Sequence, residues 1–240
     1  MPRTARKAPG GVAFHVLNRG NARSPVFDSP DDYAAFVKVL LETLSAFPGV
    51  RLLAFCLMRN HWHLVLWPTS DGQLGRFMQR LTVTHVRRWH EHRRSTGGGH
   101  VYQGTYKSFP AQRDEHFLTL CRYVERNALR AKLVRRAENW KWSSLWAREN
   151  AASDEAAAEV AAALNDWPVD RPADWLRLVN APQTAAEEEA LSECIRRGRP
   201  FGSETWQKQT AARLGLAHTF RERGRPKRKT RGKAARGRPK

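Results

Sequence analysis

Apolar runs and helically spaced apolar positions take turns along the first 147 residues. "GVAFHVLNRG" (11–20) is rich in β-formers, is closed by Asn-Arg-Gly, and reads as a strand. In "SPDDYAAFVKVLLETLSAF" (29–47), Tyr33, Phe36, Val37, Leu40, Leu41 and Leu44 recur at helical spacing. Ser29 suits the N-cap and Pro30 the first helical position, while Asp31 and Asp32 favour the positive end of the helix dipole. "VRLLAFCLM" (50–58) and "HWHLVLW" (61–67) predict two strands, and a connection as short as Arg59-Asn60 forces an antiparallel hairpin. Leu74, Phe77, Met78, Leu81, His85 and Trp89 then form one stripe of a helix over 74–94. A loop (95–99) leads to a strand over 100–112, interrupted near Gly104 and Pro110. A helix over 114–134 follows, with Asp114 as N-cap and Phe117, Leu120, Cys121 and Val124 as its packing stripe.

This order, β-α-β-β-α-β-α, is that of a split βαβ, ferredoxin-like antiparallel sheet with helices on its faces, an α+β fold. "WKWSSLWA" (140–147) closes the block, so one domain is expected over 11–148 behind a flexible 1–10. Residues 149–220 predict a mostly helical C-terminal extension: an Ala-rich helix over 149–164, a looser region marked by Pro168, Pro172 and Pro182, and helices near 184–197 and 203–214. Residues 221–240 have almost no apolar side chains and are expected to be a disordered basic tail.

Charge changes the picture more than composition does. The 240 residues carry a net +19, a balance that points to a polyanionic partner, most often nucleic acid. The tail holds 11 Lys/Arg and one Glu, +10, which leaves +9 on the body. Three widely spaced cysteines, Cys56, Cys121 and Cys194, with no CxxC pair, argue for a reducing cytoplasm and against a disulfide framework. "MPRTARKAPGG" lacks the apolar core of a signal peptide, and no run approaches a membrane span, so a soluble, cytoplasmic, nucleoid-associated protein is expected.

Candidate chemistry centres on "LMRNHWHLVL" (57–66). Side chains alternate along a strand, so His61 and His63 share one face and Trp62 takes the other. The pair is packing, a metal clamp or half of an active site, and the strand alone does not choose. On the 114–134 helix, Tyr123 and Asn127 stack four residues apart, at the edge of the apolar stripe. If that helix lies on the face bearing the histidines, Asn127 can offer a bound ion its amide oxygen and Tyr123 can point into the same site. A divalent ion on a phosphodiester oxygen makes phosphorus more electrophilic, and attack by the phenol would leave the protein esterified to one DNA end.

Six stretches carry a family resemblance: "FHVLNRGNARSPVF" (14–27), "AFCLMRNHWHLVL" (54–66), "GRFMQRL" (75–81), "YQGTYKS" (102–108), "RYVERNALRAKLV" (122–134) and "WKWSSLWA" (140–147). Together they resemble the REP-associated tyrosine transposases of the single-tyrosine HUH superfamily, over about residues 11–147. The resemblance implies His61 and His63 as the HUH metal ligands, Asn127 as third ligand, Tyr123 as nucleophile, and Mg²⁺ or Mn²⁺ as cofactor. It implies nicking and strand transfer on single-stranded DNA at small hairpins of the repetitive extragenic palindrome type, through a 5′-phosphotyrosine, in DNA transposition. A non-catalytic hairpin-binding protein on the same fold is the alternative, and monomer and homodimer both stay open. Two residues depart from the family pattern: Arg59 and Ala128 each stand where it has proline.

Further basic residues are candidate DNA contacts. Arg59 lies in the hairpin turn, Arg76 and Arg80 on the 74–94 helix, and Lys107 in the following strand. The tail repeats Arg-Gly-Arg-Pro-Lys at 223–227 and 236–240, so Arg223, Arg225, Arg236 and Arg238 resemble AT-hook cores for A/T-rich duplex, or form a plain polybasic clamp.

Overall fold

The computed structural model describes residues 7–221. The tail repeats, with Arg223, Arg225, Arg236 and Arg238, lie outside the described residues. Strands β1 (Ala13–Arg19), β2 (Val50–Met58), β3 (His61–Pro68) and β4 (Lys107–Ala111) form one antiparallel sheet in the order β2-β3-β1-β4. That is the ferredoxin-like order expected from the sequence. Helix α1 (Pro30–Ala46) begins with a capping box between Ser29 and Asp32. Asp32 also accepts two bonds from the Arg93 guanidinium, at 3.0 and 2.8 Å, tying the start of α1 to the end of α2 (Gln73–His92).

Each sheet face has its own core, because apolar side chains stand on both sides of the pleat. On one face Phe14, Val16, Trp62, Leu64 and Leu66 meet Phe36 and Leu40 of α1 and Phe77 and Leu81 of α2. On the other, Ala54, Cys56, Val65 and Phe109 meet Phe117, Leu120, Cys121 and Val124 of α3 (Glu115–Glu125). Trp62 is fully buried, with its indole N–H donating to the Tyr102 hydroxyl at 3.0 Å. His85, on the α2 stripe, is a core histidine, as its spacing predicts, and its Nδ1 lies 2.9 Å from the same hydroxyl.

Three elements differ from the sequence expectation. The 114–134 helix is broken: α3 stops at Glu125, Arg126 caps it, and α4 (Asn127–Arg130) resumes. It closes early because the N–H of Leu133 returns to the Ala128 carbonyl and Lys132 takes a left-handed φ of 58°. The strand expected over 100–112 is only β4. Residues ahead of it form a loop, joined to the sheet edge by a single bridge between Gly20 and Tyr102. The Ala-rich segment splits into α5 (Ser144–Asn150) and α6 (Glu155–Ala162), the second restarted by the Asp154 cap.

Residues 140–220 close the sheet at its edges, where unpaired backbone groups would otherwise invite other strands. Along β2, Leu57 N–H donates to the Trp142 carbonyl (2.8 Å), Phe55 N–H to Ser144 Oγ (3.0 Å) and Leu52 N–H to Asn165 Oδ1 (2.9 Å). The indoles of Trp140 and Trp167 donate to the Leu57 and Leu53 carbonyls, both at 2.8 Å. Along β4, Phe201 exchanges backbone bonds with Pro110 and Gln112 at 2.9 and 2.8 Å. Helices α7 (Trp175–Asn180), α8 (Ala185–Arg197) and α9 (Glu204–Leu214) complete this layer, and Trp175, Val179, Leu191, Cys194 and Phe201 join the second core. The three cysteines are free and buried. Among the described residues no helix is long and apolar enough to cross a membrane.

Trp62 anchors the first core. Trp62→Ala is expected to destabilise the fold by about 3–5 kcal/mol, the range for emptying a buried aromatic site. Urea unfolding measures it, and a loss below about 1 kcal/mol would contradict the anchoring role.

Candidate active site

Strand β3 projects His61 and His63 from the face opposite Trp62, and the register of the sheet decides what surrounds them. Leu17 and Cys56 flank His63; Arg19 and Met58 flank His61. The two imidazole rings stand 5.0 Å apart and nearly perpendicular. Each is held through its Nδ1. His63 Nδ1 lies 2.8 Å from Nε2 of His15, whose ring stacks on that of His63 and is backed by Phe109. His61 Nδ1 lies 2.7 Å from Asn60 Oδ1. A carboxamide oxygen only accepts, so His61 carries its proton on Nδ1 and presents a lone pair at Nε2. Among the described residues, neither histidine's Nε2 has a hydrogen-bond partner.

Burial, more than any neighbour, sets the charge of these rings. It lowers the pKa of His61 to about 4 and of His15 to about 3, and drives that of His63 well below the usual value. The histidines also depress one another, and Arg19 and Arg130 add to the effect at His61 and His63. All three are neutral at pH 7, the form in which imidazole binds a metal.

Helices α3 and α4 lie over this face. The Tyr123 ring meets His63 edge-on at 5.8 Å. Tyr123 is buried rather than at the core margin its helical angle suggests, because Arg130 folds back over it. The guanidinium stands 4.8 Å from the ring centre, and Nη2 donates to the phenol oxygen at 3.2 Å. Asn127 is buried, and its Nδ2 has no hydrogen-bond partner. The N–H of the next residue, Ala128, faces the sulfur of Cys56, the register partner of His63. No hydrogen bond joins Asn127 to either histidine. Two imidazoles with free Nε2 atoms and an amide left partly unpaired on the same sheet face fit a divalent cation that completes its shell with oxygen ligands.

A separate group, Asp114, Glu115 and His116, brings its ligand atoms within 4.8 Å of one another at the start of α3. Asp114 is occupied there as N-cap, accepting from the His116 backbone at 2.9 Å and facing its ring at 2.8 Å. Tyr123 is two helical turns further on, roughly 12 Å along the axis.

The other basic candidates are spread out. Arg59 is exposed in the hairpin turn, 3.6 Å from Asp28. Lys107 and Arg19 open onto a cleft of about 250 Å³ that also takes in Asn18, Gln103 and Thr105. Arg76 and Arg80 are exposed on α2, on the far side of the sheet from the histidines. Sequence reasoning missed His15, which register brings to His63, Asn60, which bonds its neighbour His61, and Arg130, the last residue of α4, which folds back onto Tyr123. It also missed Glu125, a fully buried carboxylate. Burial raises its pKa, against hydrogen bonds from Ser144 Oγ (2.6 Å) and Trp175 Nε1 (2.7 Å) and the charges of Arg171 and Arg148.

Residues 10–127 match the family described as "Transposase IS200 like". Among solved structures, the chain is similar to the REP-associated tyrosine transposase bound to a REP hairpin. The identity is 15%, covering 64% of this chain and 86% of that one, with a TM-score of 0.49. It is also similar to a transposase candidate from Deinococcus radiodurans R1, at 20% identity over 49% of this chain and 88% of that one, with a TM-score of 0.37. No curated relative matches the chain.

Buried neutral histidines give stability a pH dependence with a definite sign. His85, outside the His61/His63 pair, has a folded pKa of about 3 against about 6.5 when unfolded. Its contribution is complete above pH 6.5 and is lost as pH falls from there towards 3, by up to about 1.4 kcal/mol per pH unit. Urea unfolding of His85→Gln at pH 5, 6 and 7 is expected to show a slope shallower than wild type by about one proton. An unchanged slope would mean His85 takes up its proton in the folded protein.

Proposed function

Residues 10–127 make this chain a member of the IS200-like transposase family, and on that premise we propose that it is a metal-dependent single-strand DNA endonuclease and strand transferase. It nicks DNA at hairpin-forming repeats through a covalent 5′-phosphotyrosine on Tyr123. The observation that carries this reading is the packing of Tyr123 against His63 with Arg130 on its phenol oxygen.

His61 and His63, through Nε2, and Asn127, through its amide oxygen, are the residues that would hold Mg²⁺ or Mn²⁺. When bound there, the ion acts as a Lewis acid on a phosphodiester oxygen. His15 and Asn60 orient the two imidazoles by engaging Nδ1, the outer-shell role that fixes which nitrogen faces a metal. Tyr123 Oη gives up its proton to solvent and attacks phosphorus, the Oη–P bond forms, the P–O3′ bond breaks, and the departing 3′ oxygen takes a proton from solvent and leaves as a hydroxyl. Arg130 stays on the phenol oxygen as its proton departs and stabilises the developing charge. The tyrosyl phosphodiester retains the energy of the broken bond, so a 3′-hydroxyl can reverse the step and join DNA without ATP. Arg19, the register partner of His61, Lys107 on the same cleft, and Arg59 in the turn before His61 are proposed to hold the DNA backbone. The tail is proposed as a further, sequence-independent contact.

A labelled single-stranded hairpin incubated with Mn²⁺ is expected to give a protein–DNA band on a denaturing gel, absent in Tyr123→Phe and in His61→Ala/His63→Ala. Cleavage without the band would indicate a water nucleophile, and binding without cleavage an inert hairpin-binding module. Removing residues 221–240 is expected to weaken nonspecific binding and flatten its salt dependence while adduct formation persists. Loss of the adduct would place the tail in the active site.

A further inference from the structure

The helix that presents Tyr123 is gripped from outside the sheet domain. Arg122 donates through Nε to the Leu178 carbonyl at 2.7 Å, and through Nη2 to the Ala181 and Pro182 carbonyls at 3.0 and 2.8 Å. Arg126 Nε donates to the Ala181 carbonyl at 2.9 Å, and Gln183 Nε2 donates to the Thr119 carbonyl at 3.2 Å. Between these contacts, Glu125 accepts from Trp175 Nε1 through one oxygen and from Ser144 Oγ through the other, at 2.7 and 2.6 Å. Ser144 in turn accepts from the Phe55 N–H of β2. Thus Glu125 joins α3 both to the strand beside His63 and to α7.

These contacts bracket Tyr123 on both sides in sequence. Helix α3 has 11 residues, too few to hold its own orientation without packing. A fully buried carboxylate tolerates little displacement, because it is stable only where its donors reach it. Two arginine forks fixed on backbone carbonyls likewise oppose rotation of the helix. Glu125 lies two residues from Tyr123 and two from Asn127, so the turn of helix it fixes sets both.

We propose that Glu125, Trp175, Arg122 and Arg126 form a clasp through which residues 175–183 position the nucleophile helix over the histidine pair. They are positioning residues; none supplies a group to the reacting atoms. This rests on Tyr123 as the nucleophile. It gives the C-terminal extension a part in the reaction beyond covering sheet edges.

The test uses the full chain with Trp175→Phe, which removes the indole N–H and keeps an aromatic ring against Trp167, and with Arg126→Gln as the milder variant. Single-turnover adduct formation with a labelled hairpin and Mn²⁺ is expected to slow about ten- to a hundredfold, the cost of a misplaced reacting group. Hairpin affinity is expected to stay within about twofold, which separates positioning from general loss of structure. Amide exchange over 119–127 is expected to rise about tenfold while strand amides at 61–66 keep their protection. Wild-type adduct rates and wild-type exchange in both variants would overturn the clasp. So would a parallel fall of adduct rate, DNA binding and melting temperature. A wild-type protein that forms no adduct would overturn the nucleophile reading instead, and the exchange measurement still decides the clasp.

Discussion

The period of two in β3 is the constraint on which the rest of the structure depends. It sends Trp62 into the core beneath α1 and α2 and, by the same pleat, sends His61 and His63 to the face covered by α3 and α4. A slip of one residue would drive the indole against α3 and turn the histidines in among Phe36, Phe77 and Leu81, so the buried Trp62 defends the register of its two smaller neighbours. The short turn at Arg59-Asn60 reinforces it. Asn60 bonds both the His61 ring and the Arg23 carbonyl, while the Arg59 carbonyl accepts from Val26 and Phe27.

The electrostatics of the site follow from what is absent around it as much as from what is present. Three neutral imidazoles stand in a buried setting whose nearest charges, Arg19 and Arg130, are positive. The buried carboxylate of that region, Glu125, is turned away into hydrogen bonds with Ser144 and Trp175. Under the proposed function, a phosphodiester would bring the negative charge that such a site lacks. Arg130 does double duty by covering the Tyr123 ring and donating to its hydroxyl, which keeps the phenol oriented before any substrate arrives.

The two departures from the family pattern have local accounts. Alanine at 128 supplies an N–H that proline would lack, on the side of Cys56, the register partner of His63. Arg59 is solvent-exposed and, among the described residues, pairs with Asp28, so proline is not required for the hairpin to close.

By itself the sequence determined the order of the sheet strands and of the helices that alternate with them. Helical spacing, the Ser29-Pro30 start and the two-residue turn are local properties, and local rules read them. It also determined that His61 and His63 share a face, since alternation is a property of one strand, and it carried the family through Tyr123, Asn127 and the histidine pair. Only the tertiary structure decided that His15 and Arg130 join them. His15 lies 48 residues from His63 and meets it through sheet register, and Arg130 folds its guanidinium back onto the ring and hydroxyl of Tyr123. The same holds for residues 140–220. Helices α8 and α9 and an Ala-rich helical segment were legible and α7 was not, while their grip on the sheet edges and on α3 consists of hydrogen bonds between groups far apart in sequence, which no sequence period records.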